Sequence, residues 1–115
     1  MRVLVVEDEG LVAMTLQDML EDLGCEVAFS GAAVAETLRW LEDGGAADAA
    51  LLDVNLGGEY VFPVAEALMA RAVPFAFTTG YGETPDRRFS AVPLVGKPIR
   101  RERLAEVLRL FGRSG

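Results

Sequence analysis

With 115 residues, no histidine, one cysteine and a net charge of −7, the chain suits a single domain, 1–115, large enough for a real core and without an output domain. The composition excludes an internal disulfide, histidine-type zinc sites, Ser-His-Asp catalysis and a phosphohistidine on this chain, which leaves carboxylates, hydroxyls and Lys97 to do any chemistry. No apolar run approaches the roughly 20 residues that span a bilayer, and Met1-Arg2 passes into a short apolar segment without a cleavage site, so the reading is a cytoplasmic protein with no membrane segment.

Arg2 to Val6 is an apolar, β-rich run that ends in Glu7, Asp8 and Glu9, and it reads as a first strand. From about Glu9 to Leu23, Val12, Leu16, Met19, Leu20 and Leu23 recur at helical spacing while Gln17, Asp18, Glu21 and Asp22 take the other face; Gly24 stops this helix. Cys25 to Ser30 is a second strand, with Cys25 read as a small buried hydrophobe. A second helix follows Gly31 and runs to about Asp43, with Val34, Leu38 and Leu41 on its stripe and Trp40 as a packing residue.

Ala49 to Asn55 is the central strand, an apolar run without alternation that ends in Asp53 and breaks into the loop Leu56-Gly57-Gly58-Glu59. Loss of alternation suits a parallel strand covered on both faces. Val61, Val64, Ala65 and Leu68 mark a third helix, with Pro63 tolerable in its first turn. Pro74 to Thr79 is a fourth strand, Gly80-Tyr81-Gly82 a turn, and Glu83 to Ser90 a polar stretch with room for a short helix. Val92 to Gly96 is a brief fifth strand closed by Lys97-Pro98, and Leu104, Val107, Leu108 and Phe111 define the last helix.

Five strands alternating with about five helices predict a flavodoxin-like, doubly wound α/β fold, a parallel sheet in the order 2-1-3-4-5 with right-handed crossovers. In such sheets sites form beyond the carboxyl ends of the strands, where the strand order reverses. Here that point lies between the first and third strands, which end in Glu7-Asp8 and Asp53. Three carboxylates gathered there repel one another unless a cation joins them. Magnesium prefers oxygen ligands and keeps several waters. Asp8 and Asp53 are candidate direct ligands, Asn55 adds its backbone carbonyl, and Glu7 acts through a water. A carboxylate can also attack phosphorus to form an aspartyl phosphate. For that chemistry Asp53 is the candidate acceptor, Lys97 a second positive centre and Thr79 a hydroxyl donor, with space and a backbone N–H at Gly80.

These residues resemble the receiver domain of bacterial two-component response regulators, over essentially the whole chain. Val-Val-Glu7-Asp8-Glu9 resembles the acidic pair, Leu-Leu-Asp53-Val-Asn55 the phosphoacceptor strand, Thr79-Gly80 the switch hydroxyl and its small neighbour, and Lys97-Pro98 the lysine before a proline. The resemblance implies a cis peptide between Lys97 and Pro98. Phe75-Ala-Phe77-Thr-Thr79-Gly80-Tyr81-Gly82 is also similar to the motif of the FAT GUY receivers, with Thr78 in place of alanine. That subgroup often occurs as stand-alone domains with kinases of the HWE type. The fifth-strand position where many receivers carry a Tyr or Phe switch holds Leu94, and Tyr81 is the candidate substitute.

The resemblance implies a phosphoryl group taken from a phosphohistidine of a histidine kinase or phosphotransfer protein onto Asp53 with Mg2+, switching protein contacts through residues 80–115. Residues 1–86 carry 16 acids and 3 bases, residues 87–115 carry 2 acids and 8 bases. Arg100, Arg101, Arg103, Arg109 and Arg113 are spread around a helix, so this basic end reads as a docking face for an acidic protein partner and not for nucleic acid. Enzyme activity beyond self-phosphorylation and self-dephosphorylation is not expected. Three other readings stay open: a receiver acting as a non-phosphorylated scaffold, a magnesium-dependent phosphatase with an aspartyl nucleophile, and a flavodoxin-like FMN protein. The phosphatase family has a second acid where this chain has Asn55, and Glu7-Asp8-Glu9 would repel the phosphate of FMN.

Overall fold

The structure, a computed structural model, describes residues 1–80 and 86–113. Its elements in chain order are β1 (Arg2–Val6), α1 (Gly10–Asp22), β2 (Glu26–Gly31), α2 (Val34–Glu42), β3 (Ala49–Asp53), β4 (Asn55–Leu56), β5 (Glu59–Tyr60), α3 (Phe62–Ala70), β6 (Phe75–Thr79), a 3-10 turn (Arg87–Phe89), β7 (Leu94–Gly96) and α4 (Arg101–Arg113). Five of the strands form one sheet in the order β2-β1-β3-β6-β7, every pairing parallel. Counted within that sheet, this is the expected order 2-1-3-4-5.

Alternate residues of the buried strands belong to two separate cores. Leu4, Val6, Ala50, Leu52, Phe75 and Phe77 face Val34, Leu41, Val61, Val64 and Leu68 of the α2 and α3 side. Val3, Val5, Ala49, Leu51, Ala76 and Val95 face Leu16 and Leu20 of α1 and Leu104, Val107, Leu108 and Phe111 of α4. The absence of polar alternation in β1 and β3 is the direct consequence, since neither face meets water. Each fully buried Leu, Val or Phe contributes roughly 1.5–3 kcal/mol against the ordering cost.

Three helices end by one device. After α1, Gly24 takes φ +85°, its N–H donates to Glu21 O (3.0 Å) and the Cys25 N–H donates to Leu20 O (2.9 Å). After α2, Gly44 (φ +96°) and Gly45 repeat the pattern onto Leu41 and Trp40, and after α3, Ala72 (φ +57°) and Val73 repeat it onto Met69 and Leu68. These are Schellman closures, which favour glycine at the left-handed position; in the third an alanine occupies it.

The expectation of about five helices is corrected to four α-helices and one 3-10 turn among the described residues. The stretch after β6 has no apolar stripe: of residues 86–90 only Phe89 is buried, and Asp86 caps a single turn by accepting from the Arg88 N–H at 2.9 Å. The loop expected after Asp53 is instead a hairpin, with Asn55 paired to Tyr60 and Leu56 to Glu59 across Gly57 (φ +64°) and Gly58 (φ +99°). Two residues at positive φ match the twist of a tight hairpin. The fifth sheet strand begins at Leu94, not Val92, because Pro93 has no N–H to pair with.

Candidate functional site

Helix α1 packs on one face of the sheet and α3 on the other, so the crossovers leaving β1 and β3 diverge and a crevice opens between the carboxyl ends of those strands. Glu7 directly follows β1, and its N–H donates to Gly31 O at the end of β2 (2.9 Å). The residue is 4% exposed; Oε2 accepts from the Glu9 N–H at 3.0 Å, which folds the carboxylate back over the strand end. Asp8, the next residue, is exposed. Asp53 closes β3 and is 2% exposed. One oxygen from each of Glu7, Asp8 and Asp53 lies within 4.8 Å of the others.

Lys97 comes from the far side of the sheet. Its backbone N–H donates to Thr79 O at 2.8 Å, which ties the end of β7 to the end of β6, and the Lys97–Pro98 peptide is cis. From there Nζ lies 3.1 Å from Asp53 Oδ2 and 2.9 Å from Glu7 Oε1. The first contact is an aligned hydrogen bond; the second is an ion pair without that alignment, so Glu7 Oε1 is buried with no hydrogen-bond donor. Asn55 presents its N–H 3.4 Å from Asp53 Oδ1, while its own Oδ1 accepts from the Gly58 N–H at 2.6 Å. A Cβ at Gly57 would stand 3.6 Å from Asp8 Oδ2, so the hairpin tip borders the acidic cluster.

The electrostatics follow from three acids and one base. Burial first, and then the neighbouring Glu7 carboxylate, push the Asp53 carboxyl up to about 7, against the pull of Lys97. For Glu7 burial also opposes charge, but the Glu9 N–H, the neighbouring Asp53 carboxyl and Lys97 outweigh it and hold the carboxyl below its usual range. Lys97 loses hydration, yet its contacts with Glu7 and Asp53 raise it above an ordinary lysine. An all-oxygen donor set with excess negative charge and one buried oxygen lacking a donor fits a hard divalent cation.

The structure therefore brings together Glu7, Asp8, Asp53, Asn55 and Lys97, with Thr79 and Gly80 at the adjacent end of β6. Leu94 stands apart, 40% exposed on β7, its carbonyl accepting from Arg103 Nε (3.1 Å) and Nη2 (2.9 Å). Tyr81 lies outside the described residues. A cavity of about 880 Å3 opens at the opposite ends of the strands, beside Met69, Pro74, Phe75 and Leu110, and no residue of the acidic cluster lines it. The contact of Lys97 with both acids and the hairpin beside Asp8 were not read from the sequence. A Gly57-Gly58 pair between Asn55-Leu56 and Glu59-Tyr60 was the available signal for the hairpin.

No protein-family model matches the chain. SdrG from Sphingomonas melonis Fr1 is 46% identical, with a TM-score of 0.86 over 96% of this chain and 94% of that one. The chain belongs to the receiver-domain family of response regulators. This receiver also matches a BeF3-activated conformation of SdrG (45% identity, TM-score 0.80, 94% of this chain and 92% of that one). It matches the signal receiver domain of a modulated diguanylate cyclase from Desulfovibrio desulfuricans G20 as well (27%, TM-score 0.83, 98% and 94%). Among curated proteins, the positive alginate biosynthesis regulatory protein of Pseudomonas aeruginosa is 36% identical over 118 residues, 98% of this chain. The receiver spans 48% of that regulator's length, and 7% of a hybrid signal transduction histidine kinase from Dictyostelium discoideum that it matches at 28% identity. Two-component signalling is thus the setting of the family. Among the described residues no helix is long and apolar enough to cross a membrane.

Proposed function

We propose that the receiver is a phosphoacceptor that takes a phosphoryl group onto Asp53 from a phosphohistidine of a histidine kinase, of the HWE type, or of a phosphotransfer protein. The observation that carries this reading is the meeting of Glu7, Asp8 and Asp53 with Lys97 Nζ at the switch point of the sheet. An Asp53 oxygen attacks phosphorus, the O–P bond forms as the P–N bond to imidazole breaks, and the departing imidazole nitrogen keeps the electron pair and takes a proton. Lys97 exchanges its contact with Asp53 Oδ2 for a phosphoryl oxygen, and Thr79 with Gly80 offers donors from the end of β6. Magnesium would be held by Asp8, Asp53 and the Asn55 backbone carbonyl, with Glu7 behind them, and it supplies positive charge against the transferring oxygens. That the similar protein SdrG has a BeF3-activated conformation supports this reading.

Incubation with magnesium and a small phosphodonor, followed by intact-mass measurement, tests the reading. The wild type gains one phosphoryl group and Asp53→Asn gains none. An unmodified wild type, or equal modification of the variant, defeats it.

A further inference from the structure

The position in the fifth sheet strand that carries an aromatic in many receivers is Leu94 here, and it faces solvent with its carbonyl already held by Arg103. A different aromatic path leaves Asp53. The hairpin β4–β5 hangs on the acceptor: the Asn55 N–H points at Asp53 Oδ1 (3.4 Å), and the Val54 carbonyl accepts the Val61 N–H at 3.0 Å to close the hairpin base. Tyr60 sits directly across the ladder from Asn55. The residue is 57% exposed, and its ring stacks on Phe62 at the start of α3, with centroids 5.4 Å apart and planes within 5°. Phe62 in turn stacks on Phe89 of the 3-10 turn, at 5.4 Å and 30°. Phe89 is 3% exposed, meets Phe77 of β6 edge-on at 5.6 Å, and carries the Arg88 guanidinium 5.1 Å above its ring. Three rings thus join the hairpin beside the acceptor to the turn that follows β6, without passing through β7.

We propose that the state of Asp53 is transmitted to residues 86–90 through the stacked rings of Tyr60, Phe62 and Phe89, an inference that rests on Asp53 being the phosphoacceptor. A phosphoryl group places new negative charge where the Asn55 N–H now meets Asp53 Oδ1. The hairpin is two residues long on each side and turns through Gly57-Gly58, so it shifts as one piece and carries Tyr60 with it. Because packed rings occupy discrete arrangements and do not stretch, Phe62 and Phe89 either follow or lose contact. The element that moves at the far end is the single turn Arg87–Phe89, which Arg88 pins to Glu66 of α3 and to Asp86. The test reads both ends of the path at once.

Amide NMR spectra of the full chain are recorded with magnesium alone and with magnesium plus beryllofluoride, for wild type, Phe62→Leu, Tyr60→Ala and Leu94→Ala. In the wild type, residues 53–58 and residues 86–90 both shift. In Phe62→Leu and in Tyr60→Ala the shifts at 53–58 remain and those at 86–90 fall to less than half, while Leu94→Ala keeps both. Tyr60 is exposed, so its variant decides the matter if Phe62→Leu does not fold. Undiminished shifts at 86–90 in the Tyr60 or Phe62 variants overturn the proposal, as does a wild type that responds at 53–58 alone. A wild type silent at 53–58 overturns the phosphoacceptor reading itself and the coupling with it.

Discussion

Asp53 is enclosed to 2% exposure beside Glu7, with Lys97 as the base that contacts both. In the metal-free protein its carboxyl is raised from 3.8 to about 7, first by burial and then by Glu7. Between those values the folded state still holds a proton that the unfolded chain has released. Stability contributed at this residue therefore falls as pH rises through that window, and levels off above it. Asp53→Asn removes this component. In buffer containing a chelator, thermal melts should place the variant above the wild type at pH 8, by something on the order of a few kcal/mol, with the gap closing toward pH 4. If magnesium is held as proposed, it should then raise the wild-type melting temperature and leave the variant nearly unchanged, because the ion would bind the folded state through the residue the variant lacks. A gap that does not depend on pH, or a variant equally stabilised by magnesium, contradicts the placement of charge argued above.

The helix ends are set by local backbone chemistry. Gly24 and Gly44 take the left-handed position that closes α1 and α2, and both stops are legible in the chain as glycines following an apolar stripe. The stop of α3 is not, because Ala72 holds the same conformation at φ +57° with a Cβ that resists it. Ala72→Gly should relieve that cost and, after the greater unfolded-chain entropy of glycine is subtracted, stabilise the protein by about 0.5–1 kcal/mol. Urea denaturation checks this, and a variant less stable than wild type would show that the alanine is not strained. The hairpin β4–β5 is not legible in the sequence for a related reason: two-residue strands carry no periodicity, and only the Gly57-Gly58 pair marks the turn. The helix expected between Glu83 and Ser90 is the converse case. Of its described residues, 86–90, only Phe89 is buried, and Phe89, drawn into the cluster of Phe62, Phe75 and Phe77, selects a single 3-10 turn.

Across the whole molecule, acids dominate the first 86 residues and bases the last 29. The fold uses part of that separation internally. Arg101 reaches back to Asp22 of α1 at 3.2 Å, and Arg103 is engaged by the Leu94 carbonyl and by Glu106. Two of the arginines expected to dock a partner thus also hold α4 in place, and Arg100, exposed just before the helix, is the better probe. If the basic end docks a histidine kinase or phosphotransfer partner, Arg100→Glu should slow association several-fold at low salt and lose its effect at high salt, where the charge is screened. Stopped-flow binding measures this; equal rates at low salt remove the basic end from the docking surface.

Residue pattern alone determined the class of fold and the acids of the site. Strands without alternation must be covered on both faces, helices with one apolar stripe must cover them, and polar residues at successive strand ends converge once the sheet is parallel. These follow from periodicities of two and of about 3.6, which are local. Only the tertiary structure decided that Lys97 contacts Glu7 and Asp53 together, that the hairpin tip borders Asp8, and that Tyr60, Phe62 and Phe89 form one stack. Such contacts depend on register and crossover, which bring together residues far apart in the chain, and no short window of sequence carries them.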